Sequence, residues 1–595
     1  MPLRIEDYAL IGDRRTAALV GRNGSIDWLC LPRFDSPACF AGLLGTDDHG
    51  HWQLEPAEAY ETSRRYVGDS GVLETTFTTA SGTVRLTDLM PRGDRRADVI
   101  RRLEGVTGRV EMRHEWRVRL DYGSVRPWVR REVLPGGDGR PDEHVITAIG
   151  GPDRLVLRGP RLPHATDHTH TDRFDVAEGD SLLFACVWMP SHEPLTDLGP
   201  LEDVVDRTRA EDEAWLRDGC SRVPHADAVR RSLLTLRLMT HEETGGIVAA
   251  PTTSLPEAFG GSRNWDYRFC WLRDAALTIG ALLEAGYQDE ARLWRDWLLR
   301  AVAGDPEDLQ VLYAVDGARR LTEHELEHLP GYEGSRPVRI GNGAVTQRQH
   351  DVLGEVMEAM AQLRERGDDP DGNAWALQRA LVDDLAKHWR EPDRGIWEIR
   401  GEPRHFTHSR AMVWVAFDRA VRAIETHGLD GPLEEWRRIR DEVREEVLTR
   451  GYDAERNCFV QHYDGRDLDA SVLMLPWHGL IAPDDPRMLG TIEAVERELL
   501  HEGLVLRYRT DSGVDGLDGE EHPFLACSFW LVTAYAGAGR LDDAHALLDR
   551  LVDLANDVGL LAEEHDPTTG RAVGNFPQAF SHLALVRAAF SLAEA

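Results

Sequence analysis

Glu398 lies between two apolar residues, Trp397 and Ile399, in the segment "RGIWEIRGEPRHFTH". An acid with such neighbours is expected to lose part of its hydration, and this loss raises the pKa of a carboxyl group. A carboxyl group with a raised pKa keeps its proton near neutral pH and can act as a general acid. This setting distinguishes Glu398 among the 103 aspartates and glutamates of the chain.

A second segment combines aromatic side chains with an arginine–aspartate pair. In "GGSRNWDYRFCWLRDAAL", Arg273 and Asp274 follow Trp265, Tyr267 and Trp271 at the start of a predicted helix. Aromatic rings pack on the apolar face of a sugar, and a charged pair forms hydrogen bonds with its hydroxyl groups. Asp274 alone could also be an ordinary acid in the first turn of a helix.

A third segment carries paired acids near the C-terminal end. Glu563 and Glu564 stand in "GLLAEEHDPTTG", ahead of a loop that contains proline and glycine. Acids in such a loop are often simply solvated. Hydrolysis of a glycoside, however, needs two carboxyl groups, one to protonate the leaving oxygen and one to activate water. The three segments together could supply an acid, a base and a set of groups that bind a sugar.

Charge and hydropathy restrict the partners that we expect. The 595 residues carry a formal net charge of −34, which repels the phosphates of nucleic acids and anionic lipids and fits a neutral substrate better. No apolar run approaches the roughly 20 residues of a membrane-spanning helix. The N-terminus lacks the apolar region of a signal peptide, so a cytoplasmic location is expected.

Cysteines and histidines give no metal-binding pattern. The seven cysteines are scattered and form no CxxC pair, which argues against a disulfide framework and a zinc site. His164, His168 and His170 stand close together, and residues 515–522 are acidic, but neither group has the spacing of a known metal site. We therefore predict no metal site.

The pattern of residues changes near position 200. Residues 1–200 contain alternating apolar residues and glycine turns, with Asn23-Gly24 and Ser81-Gly82 between apolar runs, which predicts antiparallel hairpins and a β-sandwich. Residues 201–225 are predicted to form a linker helix. Residues 226–595 contain eleven or twelve segments with apolar residues at helical spacing, and most of these segments end at glycine. They predict helices arranged in a double ring.

These segments resemble glycoside hydrolase family 15, whose bacterial members include glucoamylases, isomaltose glucohydrolases and trehalases. "IEDYALIGDRRTAALVGRNGSIDWLCLPRFDSPACF" is similar to the trehalase-like N-terminal domain of that family. The resemblance covers essentially the whole chain. It implies an N-terminal super-β-sandwich (1–200), followed by an (α/α)6-barrel catalytic domain (226–595).

The resemblance also implies roles for individual residues. "IWE" followed by "HFT" is similar to the family's Leu-Trp-Glu-Glu and Phe-Phe-Thr, which makes Glu398 the general acid. "AEEHDPTTG" is similar to the family's Pro/Thr-Glu-Gln and makes Glu563 the general base. Through "DYRFCWLRD", "TQRQHDVLGE", "IWE" and "LRYRTDSGVDGLDGEEHPFLAC", the implied substrate-binding residues are Tyr267, Arg273, Asp274, Gln349, Asp351, Trp397, Arg507 and Phe524.

The chain departs from the fungal members of the family at three positions. Ile399 replaces the acid that follows the general acid, Val345 stands near the position of a tryptophan, and Phe524 replaces a tryptophan. All three concern the side of the leaving group, so the preferred linkage stays open. Glu355 and Glu564 remain the rivals of Glu398 and Glu563.

The function implied is an inverting, exo-acting α-glucoside hydrolase that releases β-glucose from the non-reducing end of a small neutral α-glucoside. The chemistry needs no cofactor. One alternative is a trehalase, for which phosphate and magnesium could matter. A second is a glucosyl phosphorylase, which uses phosphate in place of the base, and a third is a sugar-binding protein without activity. A homo-oligomer is possible.

Overall fold

A computed structural model of the chain describes residues 2–93, 97–137, 139–199, 201, 203–216, 220, 222–367, 372–517 and 519–595. The predicted linker (201–225) is described in part, because residues 202, 217–219 and 221 lie outside the described residues. Asp518 of the acidic segment 515–522 also lies outside them. Strands dominate the first third of the chain and helices the rest, while the predicted boundaries at residues 200 and 225 stay predictions.

The described strands of the N-terminal third form one antiparallel network. In order from β1 to β15 they are Tyr8–Gly12, Ala17–Gly21, Ser25–Cys30, Ala38–Phe40, His51–Pro56, Tyr60–Tyr66, Leu73–Thr79, Gly82–Leu89, Asp98–Arg117, Trp128–Leu134, Glu143–Gly150, Asp153–Arg158, His164–Thr166, Thr169–Ala177 and Ser181–Pro190. β2 and β3 pair across Asn23-Gly24, and β7 and β8 pair across Ala80-Ser81, so both predicted hairpins are present. Gly24 has a φ of 76°, which glycine adopts without a steric penalty.

One strand, β9, belongs to both layers of a sandwich. Its first half pairs with β8 and β15, and its second half pairs with β5 and β14. Gly105 lies at the change of partner, where a Cβ atom would come within 1.9 Å of the Ala177 carbonyl oxygen. Phe174 of β14 faces Phe184 of β15 with ring centroids 6.2 Å apart, so the two layers pack face to face. The sequence pattern predicted only short strands and missed this 20-residue one.

The helices of the described residues follow the sandwich. From α1 to α12 they are Val204–Trp215, Ala226–Leu238, Leu272–Glu284, Gln288–Ala301, Asp351–Glu365, Gly372–His388, Thr407–His427, Leu433–Arg450, Pro486–Glu498, Leu525–Gly537, Leu541–Val552 and Ala579–Glu594. α7 ends at Gly428 in the left-handed conformation, as the glycine pattern predicted.

Six inner elements form a closed ring, with six helices packed outside it. The inner elements pack in the order α3, α5, α7, the 3-10 helix Ala470–Met474, α10 and α12, and α12 returns to α3. The outer helices are α2, α4, α6, α8, α9 and α11. Inner helices such as α3 are buried all round, whereas α8 buries one stripe of residues. This is the predicted (α/α)6 arrangement, except that one inner helix is a short 3-10 segment.

Short two-stranded antiparallel sheets lie around the barrel within the described residues. In order from β16 to β27 their strands are Thr253–Pro256, Asn264–Asp266, Cys270–Trp271, Leu312–Tyr313, His324–Glu325, Arg339–Ile340, Tyr452–Asp453, Cys458–Phe459, Leu500–His501, Leu504–Val505, Glu564–Asp566 and Arg571–Val573. β16 pairs with β17, and β18 with β19. Among the described residues, none of the helices is both long and apolar enough to cross a membrane.

Candidate active site

Two adjoining cavities open where the inner helices begin. They are called here the inner cavity and the outer cavity. Tyr267, Trp397, Glu398 and Arg507 line both, so the two form one continuous space. The inner cavity is lined by Ala249, Tyr267, Trp271, Arg273, Asp274, Ile396, Trp397, Glu398, Arg507, Phe524, Glu563, Gln578 and Phe580.

Glu398 lies in a turn between α6 and α7. Its φ is 60°, a conformation that is uncommon outside glycine and that often marks functional sites. The indole N–H of Trp271 donates a hydrogen bond of 2.5 Å to its Oε1, and a guanidinium nitrogen of Arg273 lies 3.6 Å from the same atom. Burial raises the pKa of Glu398, the Arg273 charge opposes the rise, and Asp274 adds to it. A raised pKa suits a proton donor.

Glu563 lies immediately before β26 and is 1% exposed. Its Oε1 accepts a hydrogen bond of 2.9 Å from the Tyr267 hydroxyl, and its Oε2 accepts one of 3.0 Å from the Asn575 backbone N–H. Burial and the nearby Glu257 raise the pKa of Glu563, and Arg507 opposes this rise. The two hydrogen bonds orient both carboxyl oxygens and favour the ionised form.

Arg273 and Asp274 lie together in the first turn of α3. The guanidinium of Arg273 donates one hydrogen bond of 2.8 Å to Asp274 and another of 2.6 Å to the Ile396 carbonyl oxygen. Both side chains are almost fully buried and line the inner cavity. Their remaining donors and acceptors are held in fixed positions, as recognition of hydroxyl groups requires.

Arg507 is surrounded by buried acids. One of its guanidinium nitrogens lies 2.7 Å from Glu521, 3.1 Å from Glu257 and 3.3 Å from Glu564. Arg263 contacts Glu521 at 3.1 Å. Burial raises the pKa of Glu521 and Glu564, with Arg507 opposing the rise in each. Together with Glu563, the group has more acids than arginines, so it favours holding a proton.

The structure separates the predicted acids from their rivals. Glu355 is buried on α5 and is not among the residues that line the two cavities. Glu564 is also absent from the cavity walls; it accepts a hydrogen bond of 3.0 Å from the His522 backbone N–H. Glu398 and Glu563 both line the inner cavity, which favours them over Glu355 and Glu564 as candidates for the chemistry.

Six of the eight predicted substrate-binding residues line the inner cavity: Tyr267, Arg273, Asp274, Trp397, Arg507 and Phe524. The rings of Trp397 and Phe524 meet edge to face with centroids 5.8 Å apart. Gln349 lies beside Glu398, where it opposes the rise in pKa, but it lines a third cavity. Asp351 is fully buried near Arg273 and lines neither part of the active-site space.

Several site residues were not predicted from the sequence. Gln578 and Phe580, at the start of α12, line the inner cavity, and a helix start with no acid gave no signal for them. Glu257 and Arg263 line the outer cavity. An arginine and glutamates far apart in sequence could be recognised as one cluster only from a structure.

The three departures from the fungal pattern line three different cavities, and Phe524 lines the inner one. Ile399 lines the outer cavity and packs with Phe406, Tyr508 and Val514. Val345 instead lines the third cavity. Trp265 is one of the aromatic side chains in the outer wall, and its indole N–H donates a hydrogen bond of 3.1 Å to Glu257.

The family model "Glycosyl hydrolases family 15" matches residues 223–590, and the model "Trehalase-like, N-terminal" matches residues 1–160. A trehalase of Mycolicibacterium smegmatis is 38% identical, over 98% of this chain and 90% of its own length. A trehalase of Thermoplasma volcanium is 34% identical, over 100% of this chain and 94% of its own length.

Among solved structures, a bacterial glucoamylase complexed with acarbose matches 100% of this chain and 94% of its own, with a TM-score of 0.69. At 13% sequence identity this likeness concerns the fold alone. It agrees with the sheet-plus-barrel fold described above. Together with the family models and the full-length relatives, it confirms the resemblance found in the sequence: the chain belongs to glycosyl hydrolases family 15 and is a glycoside hydrolase.

Proposed function

We propose that this chain hydrolyses α,α-trehalose to two molecules of glucose. The observation that carries the proposal is the name of its full-length relatives. Curated proteins from Mycolicibacterium, Thermoplasma and Sulfolobus that match 97% or more of this chain are named trehalase. The sequence alone favoured exo-hydrolysis of other α-glucosides and kept trehalase as an alternative. The relatives support the alternative better.

The two cavities support a substrate of two sugar units. A glucose unit in the inner cavity would be joined to a second unit in the outer cavity. Glu398 lines both cavities, so its proton can reach an oxygen that joins the two sugars. Glu563 lines the inner cavity and not the outer one, which suits a group that activates water beside the inner sugar.

In the reaction that we propose, Glu398 is the general acid and Glu563 the general base. Glu398 transfers its proton to the glycosidic oxygen as the bond from that oxygen to the anomeric carbon breaks. A water molecule attacks the carbon and gives a proton to Glu563. The inner sugar leaves as β-glucose with inverted configuration, and the outer sugar leaves as α-glucose.

The base must be ionised although its surroundings raise its pKa. Glu563 accepts two hydrogen bonds that favour the carboxylate. Glu564 belongs to the same group of buried acids, and burial raises its pKa well above the ordinary value. A proton held by the group is therefore more stable on Glu564 than on Glu563, which leaves Glu563 free to accept one from water.

Binding of the inner sugar falls to the charged residues of the inner cavity. Arg273, Asp274 and Arg507 would hold the hydroxyl groups, and Trp397 and Phe524 would pack on the apolar parts of the ring. This hydrolysis uses two carboxyl groups and water and needs no cofactor. A role of phosphate or magnesium, which the resemblance allowed for a trehalase, stays a prediction.

A substrate comparison tests the proposal. Glucose release from trehalose, maltose and isomaltose would be measured with and without phosphate and magnesium, with Glu398→Gln as the control for contaminating activity. We expect kcat/KM for trehalose to exceed the others by at least about 100-fold, or about 2.7 kcal/mol in transition-state free energy. A preference for maltose or isomaltose would refute the trehalase proposal. Formation of glucose 1-phosphate only in the presence of phosphate would indicate a phosphorylase.

A further inference from the structure

A third cavity, here called the side cavity, lies outside the active-site space. It lies between the 3-10 helix Pro306–Asp308, residues 345–353 and the C-terminal end of α6, and it adjoins the outer cavity at Gln347. Glu307, Asp384 and His388 line it. Each offers one ligand atom, and these three atoms lie within 4.8 Å of one another.

We propose that Glu307, Asp384 and His388 bind one divalent transition-metal ion of the Zn²⁺ class. The two carboxylates and one neutral imidazole would balance the charge of a dication. A histidine ligand favours zinc and similar ions over magnesium, which prefers oxygen ligands throughout. The site does not depend on the proposed substrate of the active site.

Asp384 is buried, and its side chain has an oxygen without a hydrogen bond. The residue is 7% exposed, and its Oδ1 has no hydrogen-bond partner among the described residues. The closest cationic groups are Lys387, 3.7 Å from Oδ1, and Arg348, 3.8 Å from Oδ2. Arg348 makes its shorter contact, 3.0 Å, with Glu391 instead. A buried carboxylate in this state is costly unless a cation or a proton joins it.

The imidazole ring of His388 is oriented by a hydrogen bond to Glu391. Its Nδ1 lies 2.9 Å from a carboxylate oxygen of Glu391, so the Nδ1–H donates a hydrogen bond to that acid. In the neutral ring this leaves the lone pair of Nε2 free, the arrangement found when a carboxylate orients a metal-binding histidine.

The spacing of the two ligand atoms fits a shared ion. Nε2 of His388 lies 3.7 Å from Oδ1 of Asp384, too far for a hydrogen bond. Two ligands at about 2.1 Å from a tetrahedral zinc ion are roughly 3.4 Å apart. A small movement of either side chain would therefore complete the geometry.

The positions of Asp384 and His388 on α6 also favour a metal site. Asp384 and His388 are four residues apart on α6, so they lie on one face of it. They are also in its last turn, where the partial negative charge of the carbonyl groups favours a cation. Glu307 approaches from a different element as the third ligand. A bound ion would thus join the loop after α4 to the end of α6.

Another group of three acids does not offer an equivalent site. Glu257, Glu563 and Glu564 also lie close enough together to share an ion. However, Arg507 already lies 3.1 Å from Glu257 and 3.3 Å from Glu564 and supplies a positive charge there. The proposal therefore concerns the side cavity alone.

The test measures binding of Zn²⁺ by the full-length protein after dialysis against a chelator, in competition with a chromophoric zinc indicator. We expect the wild type to bind one equivalent in the side cavity. Asp384→Asn and His388→Gln are each expected to lower the affinity at least tenfold. They should also abolish the increase in Tm that Zn²⁺ gives the wild type, because a bound ligand stabilises only the folded state.

Two variants serve as controls. Asp383→Asn makes the same change one residue earlier on α6, outside the proposed ligand set, and should keep the wild-type affinity. Glu564→Gln tests the acids of the active site and should also keep it. Circular dichroism and the Tm measured in chelator check that each variant is folded. The proposal is overturned if the wild type binds no zinc, or if folded Asp384→Asn and His388→Gln variants bind zinc as tightly as the wild type.

Discussion

One short segment, residues 267–271, contacts both candidate catalytic acids. Tyr267 and Trp271 donate hydrogen bonds to Glu563 and Glu398 respectively. Their rings meet edge to face with centroids 5.5 Å apart. The separation of two acids that are remote in sequence thus depends on two residues of a single short segment. An inverting reaction requires room for a water molecule between the two carboxyl groups.

Replacing each proposed catalytic acid tests the roles at the residue scale. We expect Glu398→Gln and Glu563→Gln each to lower kcat by about 10²–10⁴-fold, the usual contribution of a general acid or base. The Tm should change little, since the amide keeps the size of the side chain. Steady-state kinetics on the best substrate and thermal unfolding would measure both.

The rival acids provide the matched controls. Glu355→Gln and Glu564→Gln make the same chemical change at buried positions outside the cavity walls. We expect them to keep kcat within about tenfold of the wild type, far less than the loss for a proton-transfer group. If Glu355→Gln lost activity while Glu398→Gln kept it, the assignment of the acid would be wrong.

The hydrogen bond from Trp271 predicts a change in the pH profile. This bond stabilises the carboxylate of Glu398 and so lowers its pKa. Trp271→Phe removes the bond, so the pKa of Glu398 should rise. A general acid must be protonated, so activity is lost as the pH rises through its pKa. The alkaline limb of the profile for kcat/KM should therefore move to higher pH.

Trp265→Phe is the control for this experiment. It removes an indole donor six residues earlier, in β17, but that donor binds Glu257 and not Glu398. The alkaline limb should stay at its wild-type position. An unchanged alkaline limb in Trp271→Phe, or a shift to lower pH, would contradict the role of Glu398 as the acid.

At the scale of elements, the inner ring explains why the site forms where it does. The starts of α3, α10 and α12 supply Arg273, Asp274, Phe524, Gln578 and Phe580 to the inner cavity. Close packing of neighbouring inner helices keeps these starts together. α5 and α7 approach most tightly at Gly354, where a Cβ atom would come within 2.3 Å of the Met412 carbonyl oxygen.

Gly354→Ala tests this close packing. The added methyl group cannot fit without moving α5 from α7, and such overpacking costs about 1–3 kcal/mol of unfolding free energy. The Tm should fall. Gly280→Ala on α3 is the matched control, because its Cβ would meet no atom closer than 3.7 Å. There alanine should leave the Tm unchanged or raise it, through a helix propensity about 1 kcal/mol better than that of glycine. Equal Tm values for the two variants would contradict this account of the ring.

The regular helices can be predicted from the sequence, but two irregular elements cannot. Helical periodicity and final glycines identified the ring, since an amphipathic helix shows its buried stripe directly. The inner segment Ala470–Met474 was missed because it is a short 3-10 turn followed by Pro476 and has no helical repeat to detect. β9 was missed as one strand because Gly105 and Gly108 interrupt its alternation where it changes partners.

Some residues of the candidate site can be identified from the sequence, and others cannot. Trp397, Glu398 and Arg273 belong to short contiguous motifs, so resemblance could identify them. Glu257 and Gln578 reach the site only through the packing of separate segments, and no local pattern indicates them. Asp351 belongs to a recognised motif, yet it lies near Arg273 and outside the cavity wall, because the first turn of a helix buries some of its residues.

For the whole molecule, the N-terminal sandwich contacts the segment 267–271 that holds both acids. Arg268 lies next to Tyr267 and donates hydrogen bonds of 2.6 and 2.8 Å to Asp266. It also donates one of 2.9 Å to the Ser36 carbonyl oxygen of the N-terminal part. Its guanidinium lies 5.3 Å from the ring centre of Tyr122, in the same part. The N-terminal part therefore supports the segment that orients both acids.

Breaking this connection should affect stability and activity together. Arg268→Gln would leave Asp266 buried without its cation, which typically costs about 3–5 kcal/mol. We expect a lower Tm and, below that temperature, a reduced kcat, because the segment 267–271 is no longer held in place. Arg15→Gln is the control: it removes pairs with Glu242 and Glu243 at the same boundary, but both acids are partly exposed, so the loss should be only about 1 kcal/mol. Equal effects of the two changes would contradict a special role for Arg268.

The most direct test of the whole account is time-resolved proton NMR of the enzyme with α,α-trehalose, which resolves the anomeric protons of the products. We expect α-glucose and β-glucose to appear in equal amounts before mutarotation. The α-glucose comes from the leaving sugar, and the β-glucose carries the inverted carbon. Release of α-glucose alone would mean retention of configuration and would exclude water activation by Glu563. Absence of cleavage, in a preparation that cleaves maltose, would contradict the proposed substrate.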